Sequence, residues 1–133
     1  MYVDRILETC LYAEDLDAAE EFYSFLLGEA PYSAQRGRHV FFRCGNNMLL
    51  IFNPKETAKV IEDFPSHGAE GPGHVAFAIA AEKVPAWRDR LFQAEIKIEK
   101  EITWPSEGHS IYFRDPAGNS IELATPGVWN IED

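Results

Sequence analysis

Apolar and polar positions alternate through residues 111–126 as in a strand, a tight turn and a second strand. The turn sequence DPAGN at residues 115–119 supplies the proline, glycine and asparagine that tight turns favour. In the returning strand Ile121 and Leu123 share one face, and Glu122 points to the other. A carboxylate within an apolar strand is costly to bury unless something pairs with it. Glu122 is therefore the first functional candidate.

The same reasoning predicts a strand and a helix at the start of the chain. Residues 6–12 alternate as a strand that carries Glu8. A helix is expected to begin at Asp15 or Asp17, which are good N-cap residues, and to end at Gly28. Between these limits the apolar residues recur at spacings of three and four, which indicates an amphipathic helix.

Two strands are predicted near residues 39–43 and 48–52, after a polar segment at 31–38 that is expected to be irregular. Residues 55–64 are predicted to form a short helix or an ordered loop. The glycine-rich segment 66–73 is the predicted linker between two halves of the chain.

After the linker the pattern begins again. A strand at residues 74–79 precedes a helix at 82–94, in which Pro85 is tolerated only in the first turn. A third strand near 96–102 then leads to the closing hairpin. Each half therefore consists of a strand, a helix and three strands, which indicates an internal duplication.

The duplication relates four positions that carry candidate chemistry. Glu8 and His74 occupy equivalent places in the first strand of each half, and superposing the closing hairpins makes Leu50 the equivalent of Glu122. If helices cover the outer face of both halves, strand parity directs all four side chains to the inner face. Three of the four are of metal-ligand types.

Composition and charge indicate a globular domain and disfavour some classes of binding partner. A chain of 133 residues with 46% hydrophobic residues is expected to form one globular domain. A net charge of −10 disfavours nucleic acid and anionic membranes as partners. The early charges of Asp4 and Arg5 are unlike a signal peptide, and two cysteines are too few for a disulfide framework. We therefore expect a cytoplasmic protein with free thiols.

Three sequence stretches resemble the vicinal oxygen chelate superfamily, which includes glyoxalase I, bleomycin-resistance proteins and extradiol dioxygenases. They are ETCLYAEDLDAAEEFYSFLLG, GPGHVAFAI and IYFRDPAGNSIELATP, and the resemblance covers nearly the whole chain. It implies an α+β fold of two tandem βαβββ modules, which form a cupped mixed sheet with helices on its outer face. The modules would lie at residues 1–65 and 71–127 of a single domain, and the protein would be a homodimer.

The resemblance implies that Glu8, His74 and Glu122 hold a divalent metal. One imidazole and two carboxylates suit Mn²⁺, Fe²⁺, Zn²⁺, Ni²⁺ or Mg²⁺, and two nearby carboxylates would repel each other without a cation. The first ligand is usually His or Gln in this superfamily, and the four-ligand glyoxalase pattern has a carboxylate where Leu50 stands. The alternative is that both carboxylates pair with arginines such as Arg43 or Arg114 and that His74 is a satisfied core residue.

Five other residues are candidates for substrate binding. Parity places Ser110, Tyr112 and Arg114 on the inner face, where Tyr112 would orient a substrate oxygen and Arg114 would hold an anionic group. The alternative for Arg114 is an ion pair with a carboxylate, Asp115 included. His67 is a lid or proton-transfer candidate or an exposed loop histidine, and Phe52 contributes an apolar pocket wall or core.

These features predict a metal-dependent lyase, isomerase or dioxygenase that acts on a small molecule. The substrate would bind the metal through neighbouring oxygens, and Glu8 or Glu122 would serve as a base. The alternative is a protein of the bleomycin-resistance type, which sequesters a small molecule without chemistry.

Overall fold

The structure, a computed structural model, describes residues 1–131 and contains two compact units, Met1–Gly73 and the residues from His74 onward. Each unit holds one four-stranded mixed sheet, and the two sheets have the same strand order. The predicted α+β fold of tandem βαβββ modules is confirmed. Within residues 1–131, no helix has the length and apolar character needed to cross a membrane.

The first unit follows the predicted order of elements, with one additional short strand after the helix. Its sheet has the order β1-β4-β3-β2, in which β1 and β4 run parallel and the other neighbours are antiparallel. The elements are β1 (Glu8–Tyr12), α1 (Leu16–Leu27), β2 (Ser33–Gln35), β3 (His39–Cys44), β4 (Asn47–Phe52) and α2 (Pro54–Thr57).

The ends of α1 are set by the residues expected to set them. The Asp15 carboxylate accepts a hydrogen bond from the Ala18 N–H at 3.0 Å, and Gly28 ends the helix in the left-handed conformation. The helix packs Tyr23 against Phe42 of β3, with 6.3 Å between ring centroids. Both rings are completely buried, so the apolar stripe of α1 forms the core of the first unit.

The second unit repeats this arrangement with the sheet order β5-β8-β7-β6. Pro85 lies in the first turn of its helix. Backbone N–H groups in this turn make no hydrogen bond within the helix, so the missing N–H of proline costs nothing there. The elements are β5 (His74–Ala78), a 3₁₀ turn (Ala81–Lys83), α3 (Val84–Gln93), β6 (Lys100–Thr103), β7 (His109–Arg114), β8 (Ser120–Ala124) and a final 3₁₀ turn (Pro126–Trp129).

Each sheet has one face that carries the helix and one that does not, and we call the latter the helix-free face. In the second unit Arg88 of α3 contacts Glu101, which is paired with Ile111, so this face of the sheet carries the helix. The fully buried residues Ile111, Phe113, Ile121 and Leu123 share it. Ser110, Tyr112 and Glu122 therefore lie on the helix-free face by strand alternation.

The β7–β8 turn takes the predicted form. The Asp115 carboxylate accepts the N–H groups of Ala117 and Asn119 at 3.0 and 2.8 Å, and Gly118 adopts a φ of 90°. A positive φ of this kind is easily reached by glycine and rarely by other residues. The turn fixes the register that places Glu122 opposite Tyr112.

Three segments differ from the expectations. Residues 31–38 contain β2, although their polar sequence does not predict a strand. The strand forms because its backbone groups pair with those of β3. The strand predicted near 96–102 begins at Lys100, because the preceding residues complete the turn out of α3, where Glu95 has a φ of 59°. The helix within residues 55–64 is limited to the single turn of α2.

Candidate metal centre

His74 and Glu122 meet on the helix-free face of the second sheet. His74 opens β5, and its ladder partner is Ser120, two residues before Glu122 in β8. The distance between His74 Nε2 and Glu122 Oε1 is 3.2 Å. The Glu122 side chain is 10% exposed and that of His74 is 50% exposed, so the carboxylate is buried beside a solvent-accessible imidazole.

The hydrogen bonds of His74 determine which of its nitrogens carries a proton. Its Nδ1 lies 2.9 Å from the backbone oxygen of Ser120, which can only accept, so Nδ1 must donate. In the neutral imidazole Nε2 is then a lone-pair acceptor that faces another acceptor, Glu122 Oε1. Two acceptors at this separation repel unless a proton or a metal cation lies between them.

A buried relay holds the other oxygen of Glu122. Trp104 Nε1 donates to Ser110 Oγ at 2.9 Å, and Ser110 Oγ donates to Glu122 Oε2 at 2.6 Å. An indole N–H can only donate, so the single hydroxyl proton of Ser110 is left for the carboxylate. Ser110 therefore lies on the same face of the sheet as Glu122, as strand alternation predicted. Oε1 of Glu122 is left directed toward His74.

Tyr112 completes this group of side chains. Its ring lies nearly parallel to that of His74, with 6.4 Å between centroids, and Tyr112 pairs with Glu122 across the β7–β8 ladder. Burial, and then the negative charge of Glu122, raise the pKa of the Tyr112 phenol. Tyr112 is therefore a neutral hydrogen-bond donor near neutral pH.

The donor set of the pair fits a divalent metal. Two ligands that share an ion, each at about 2.0–2.2 Å, lie roughly 3 Å apart, as the two facing acceptors do. The bond from Nδ1 to a carbonyl is also the usual way in which a metal-binding imidazole is oriented. Within residues 1–131 no group of three or more His, Cys, Asp or Glu side chains is arranged to hold an ion. The structure therefore brings together two of the three predicted ligands, both in the second unit.

Glu8, the third predicted ligand, belongs to the first unit. It is the exposed first residue of β1, as His74 is of β5. The parallel ladders also match, since Cys10 pairs with Leu50 as Ala76 pairs with Glu122. The equivalence of the four positions thus holds in the strand registers, whereas metal binding by Glu8 stays a prediction.

Arg114 has a carboxylate partner other than Asp115. Its Nε and Nη2 donate to the two oxygens of Glu99 at 2.9 and 3.2 Å, and Nη1 donates to the Gly118 carbonyl. The hydrogen bond from Arg114 lowers the pKa of the Glu99 carboxyl. Among the described residues no arginine pairs with Glu122, so the alternative of an Arg–Glu122 ion pair is not found. A substrate role for Arg114 stays a prediction.

Phe52 and His67 contact each other in the first unit. Their rings meet edge to face with 4.8 Å between centroids. The hydroxyl of Tyr12 lies 2.7 Å from His67 Nδ1 and orients the imidazole. His67 is thus held against an aromatic wall, and its role in substrate binding stays a prediction.

Comparison with known proteins decides the family. The model of the glyoxalase/bleomycin resistance protein/dioxygenase superfamily matches residues 5–123. The chain belongs to this superfamily. Within it, the chain is 30% identical to the metallothiol transferase FosB of Shouchella clausii over 125 residues, which are 92% of this chain and 81% of the relative. It is 28% identical to FosB of Bacillus licheniformis, covering 87% of this chain and 71% of the relative.

Solved structures agree with the superfamily fold. The crystal structure of a lactoylglutathione lyase from Agrobacterium tumefaciens superposes with a TM-score of 0.93 and is 41% identical, covering 97% of this chain and 98% of that one. A glyoxalase/bleomycin resistance protein/dioxygenase from Nocardioides has a TM-score of 0.73 at 22% identity, covering 94% and 85%. The second likeness concerns the fold alone.

The relay in this glyoxalase-superfamily protein predicts a positioning role for Trp104, which no sequence pattern indicated. Trp104→Phe keeps an aromatic ring, although a smaller one, and removes the N–H that orients Ser110, so Glu122 is held less firmly. Losing such an outer partner typically lowers metal affinity by about 10–100-fold, and we expect a value near 10-fold here. The measurement is calorimetric titration of the metal-free protein with Mn²⁺.

Trp129→Phe provides the matched control, because Trp129 is 77% exposed and lies in the final 3₁₀ turn. It should leave the Mn²⁺ affinity unchanged. Equal affinities for the two variants would show that the indole N–H of Trp104 does not position Glu122.

Proposed function

We propose that this chain is a metal-dependent enzyme of the lyase, isomerase or dioxygenase type. Its substrate is a small molecule that chelates a divalent ion, Mn²⁺, Fe²⁺, Zn²⁺, Ni²⁺ or Mg²⁺, through neighbouring oxygens. The observation that carries the proposal is the close approach of His74 Nε2 to Glu122 Oε1, 3.2 Å apart, with Nδ1 of the imidazole bound to a carbonyl. Membership of the superfamily, and a relative named as a metallothiol transferase, support it.

The contacts of each residue suggest its role in the reaction. His74 and Glu122 bind the ion, and Glu8 completes the ligand set, from the same chain or from a second copy. When bound, the ion supplies Lewis acidity that stabilises negative charge on the substrate oxygens. Tyr112, a neutral phenol beside the pair, donates a hydrogen bond to one of those oxygens. Glu8 is better suited than Glu122 to leave the ligand set and act as the base, because Ser110 holds Glu122 in place.

We further propose a homodimer that is confined to the cytoplasm. Strands β1 and β5 lie at the edges of their sheets, and exposed sheet edges are normally covered or paired. Sedimentation analysis tests the assembly, and a monomer at all concentrations would contradict it.

The names of the relatives point to the substrates to test first. Lactoylglutathione lyase and metallothiol transferase are both named for chemistry on thiol compounds, so we infer a thiol or thiol adduct as one reactant. Leu50 stands where the four-ligand glyoxalase pattern has a carboxylate, and its apolar side chain cannot bind a metal. A three-ligand centre therefore leaves more positions open for the substrate.

Metal analysis of protein purified without chelator tests the proposal. We expect a bound divalent ion, and turnover of glutathione with methylglyoxal, or of a thiol with a small epoxide, that stops after chelation and returns with the ion. The opposite result is a metal-free protein that binds such compounds unchanged. That outcome would establish the sequestering alternative and refute the enzyme.

A further inference from the structure

The guanidinium of Arg38 lies over two aromatic rings in the first unit. The guanidinium carbon of Arg38 is 5.4 Å from the ring centroid of Phe52 and 5.5 Å from that of Phe64. Arg38 Nη1 also lies 2.7 Å from Nδ1 of His39. We call these four residues the Arg38 cluster. The two rings and the imidazole hold the guanidinium in one orientation.

The charge of Arg38 is not neutralised by the protein. Among the ion pairs of residues 1–131, Arg88 pairs with Glu101 and Arg114 with Glu99, whereas Arg38 has no carboxylate partner. A guanidinium has five N–H donors, and the contact with His39 uses one. The others are suited to a planar oxyanion, which arginine binds through two parallel hydrogen bonds.

His39 adds a second donor to the Arg38 cluster. A guanidinium can only donate, so His39 Nδ1 accepts from Arg38 and the proton of the neutral ring lies on Nε2. Burial, and then the charge of Arg38, lower the pKa of His39, so the ring is neutral at pH 7. The imidazole is stacked on Phe41 with 4.0 Å between centroids, which fixes the direction of its N–H.

The surroundings of the cation are aromatic. Phe41 meets Phe52 edge to face with 5.2 Å between centroids, and Phe52 also contacts His67. A hydrated inorganic anion gains little from such a wall, whereas a flat apolar body gains from contact with the rings. The site therefore combines one positive charge with aromatic rings, of which Phe64 is exposed, Phe41 is half-buried and Phe52 is buried.

We propose that Arg38 and His39 bind the oxyanion of a small aromatic carboxylate or phosphonate, whose ring lies against the neighbouring phenylalanines. The proposal deepens the proposed function, because Phe52 and His67 are two of the predicted substrate-binding residues. It rests on that function in taking the ligand to be the substrate. Binding of the oxyanion itself requires no metal.

The test uses metal-free full-length protein and four probes. Calorimetric titration should show that benzoate and phenylphosphonate bind at least about 10-fold more tightly than the uncharged benzamide, since ion pairing to arginine is lost in benzamide. Inorganic phosphate, which has no ring, should also bind more weakly than phenylphosphonate. Arg38→Met keeps the apolar stem and removes the charge, so it should abolish the preference for benzoate over benzamide.

Arg36→Met is the matched control, because Arg36 is an exposed residue two positions earlier in the same turn. It should bind all probes as the wild type does. If Arg38→Met does not fold, Arg38→Lys keeps the charge without the planar fork and should retain part of the preference.

Three results would overturn the proposal. Equal affinity of the wild type for benzoate and benzamide would exclude an oxyanion site, as would full binding by the Arg38→Met protein. Equal affinity for phosphate and phenylphosphonate would exclude the aromatic contact. Because no metal is present, these results are independent of whether His74 and Glu122 bind an ion, so failure of one proposal is distinguishable from failure of the other.

Discussion

Glu122→Gln is expected to lower the affinity for Mn²⁺ by at least about 100-fold, more than the loss of an outer partner of a metal ligand does. The substitution removes the negative charge and keeps the volume of the side chain. Its amide can still accept the hydrogen bond from Ser110, so the fold around it is preserved. What disappears is the anionic oxygen that faces His74 Nε2. Calorimetric titration of metal-free protein, and the metal content after purification without chelator, measure the effect.

Glu99→Gln is the matched control for this experiment. It makes the same chemical change in the same unit, at a half-exposed residue whose carboxylate pairs with Arg114. We expect it to leave the metal affinity unchanged. A Glu122→Gln protein that retains the metal content of the wild type would show that Glu122 is not a ligand.

Phe113→Ala is expected to lower the free energy of unfolding by about 3–5 kcal/mol, the usual cost of truncating a buried phenylalanine. The ring is completely buried on the face of the second sheet that carries α3. Its removal leaves a cavity beside Ile121, its partner across the β7–β8 ladder. Urea denaturation followed by tryptophan fluorescence is the appropriate measurement, since Trp87, Trp104 and Trp129 all lie in the second unit.

Phe92→Ala tests the burial argument with the same change of side chain. Phe92 lies in α3 and is 78% exposed, so its truncation should change stability by no more than about 0.5 kcal/mol. A similar loss for both variants would mean that burial of Phe113 does not account for its effect.

The sequence predicted helix ends and turns correctly where these depend on a few neighbouring residues. Asp15 and Gly28 delimit α1 as expected, because capping depends on the residues within one turn of the helix end. The hairpin turn at Asp115 follows equally local rules. The polar β2 was missed for the opposite reason, since its strand conformation depends on pairing with β3.

Contacts between distant residues were the part that the sequence could not supply. The link from Trp104 through Ser110 to Glu122 depends on how a loop folds back onto a strand. The pairing of Arg114 with Glu99 likewise depends on which strands are neighbours. The position of Arg38 over two phenylalanine rings depends on the packing of a loop that has no periodic pattern.

Apart from β2 and the extent of α2, the sequence by itself determined the order of helices and strands. It also determined the face of the sheet on which Ser110, Tyr112 and Glu122 lie. It could do so because side-chain direction alternates with every residue of a strand, whatever the strand pairs with. Only the tertiary structure decided that His74 Nε2 faces Glu122 Oε1 and that Ser110 holds the other oxygen. Those contacts depend on the register of separate strands and on side-chain conformations, which packing selects and local sequence does not encode.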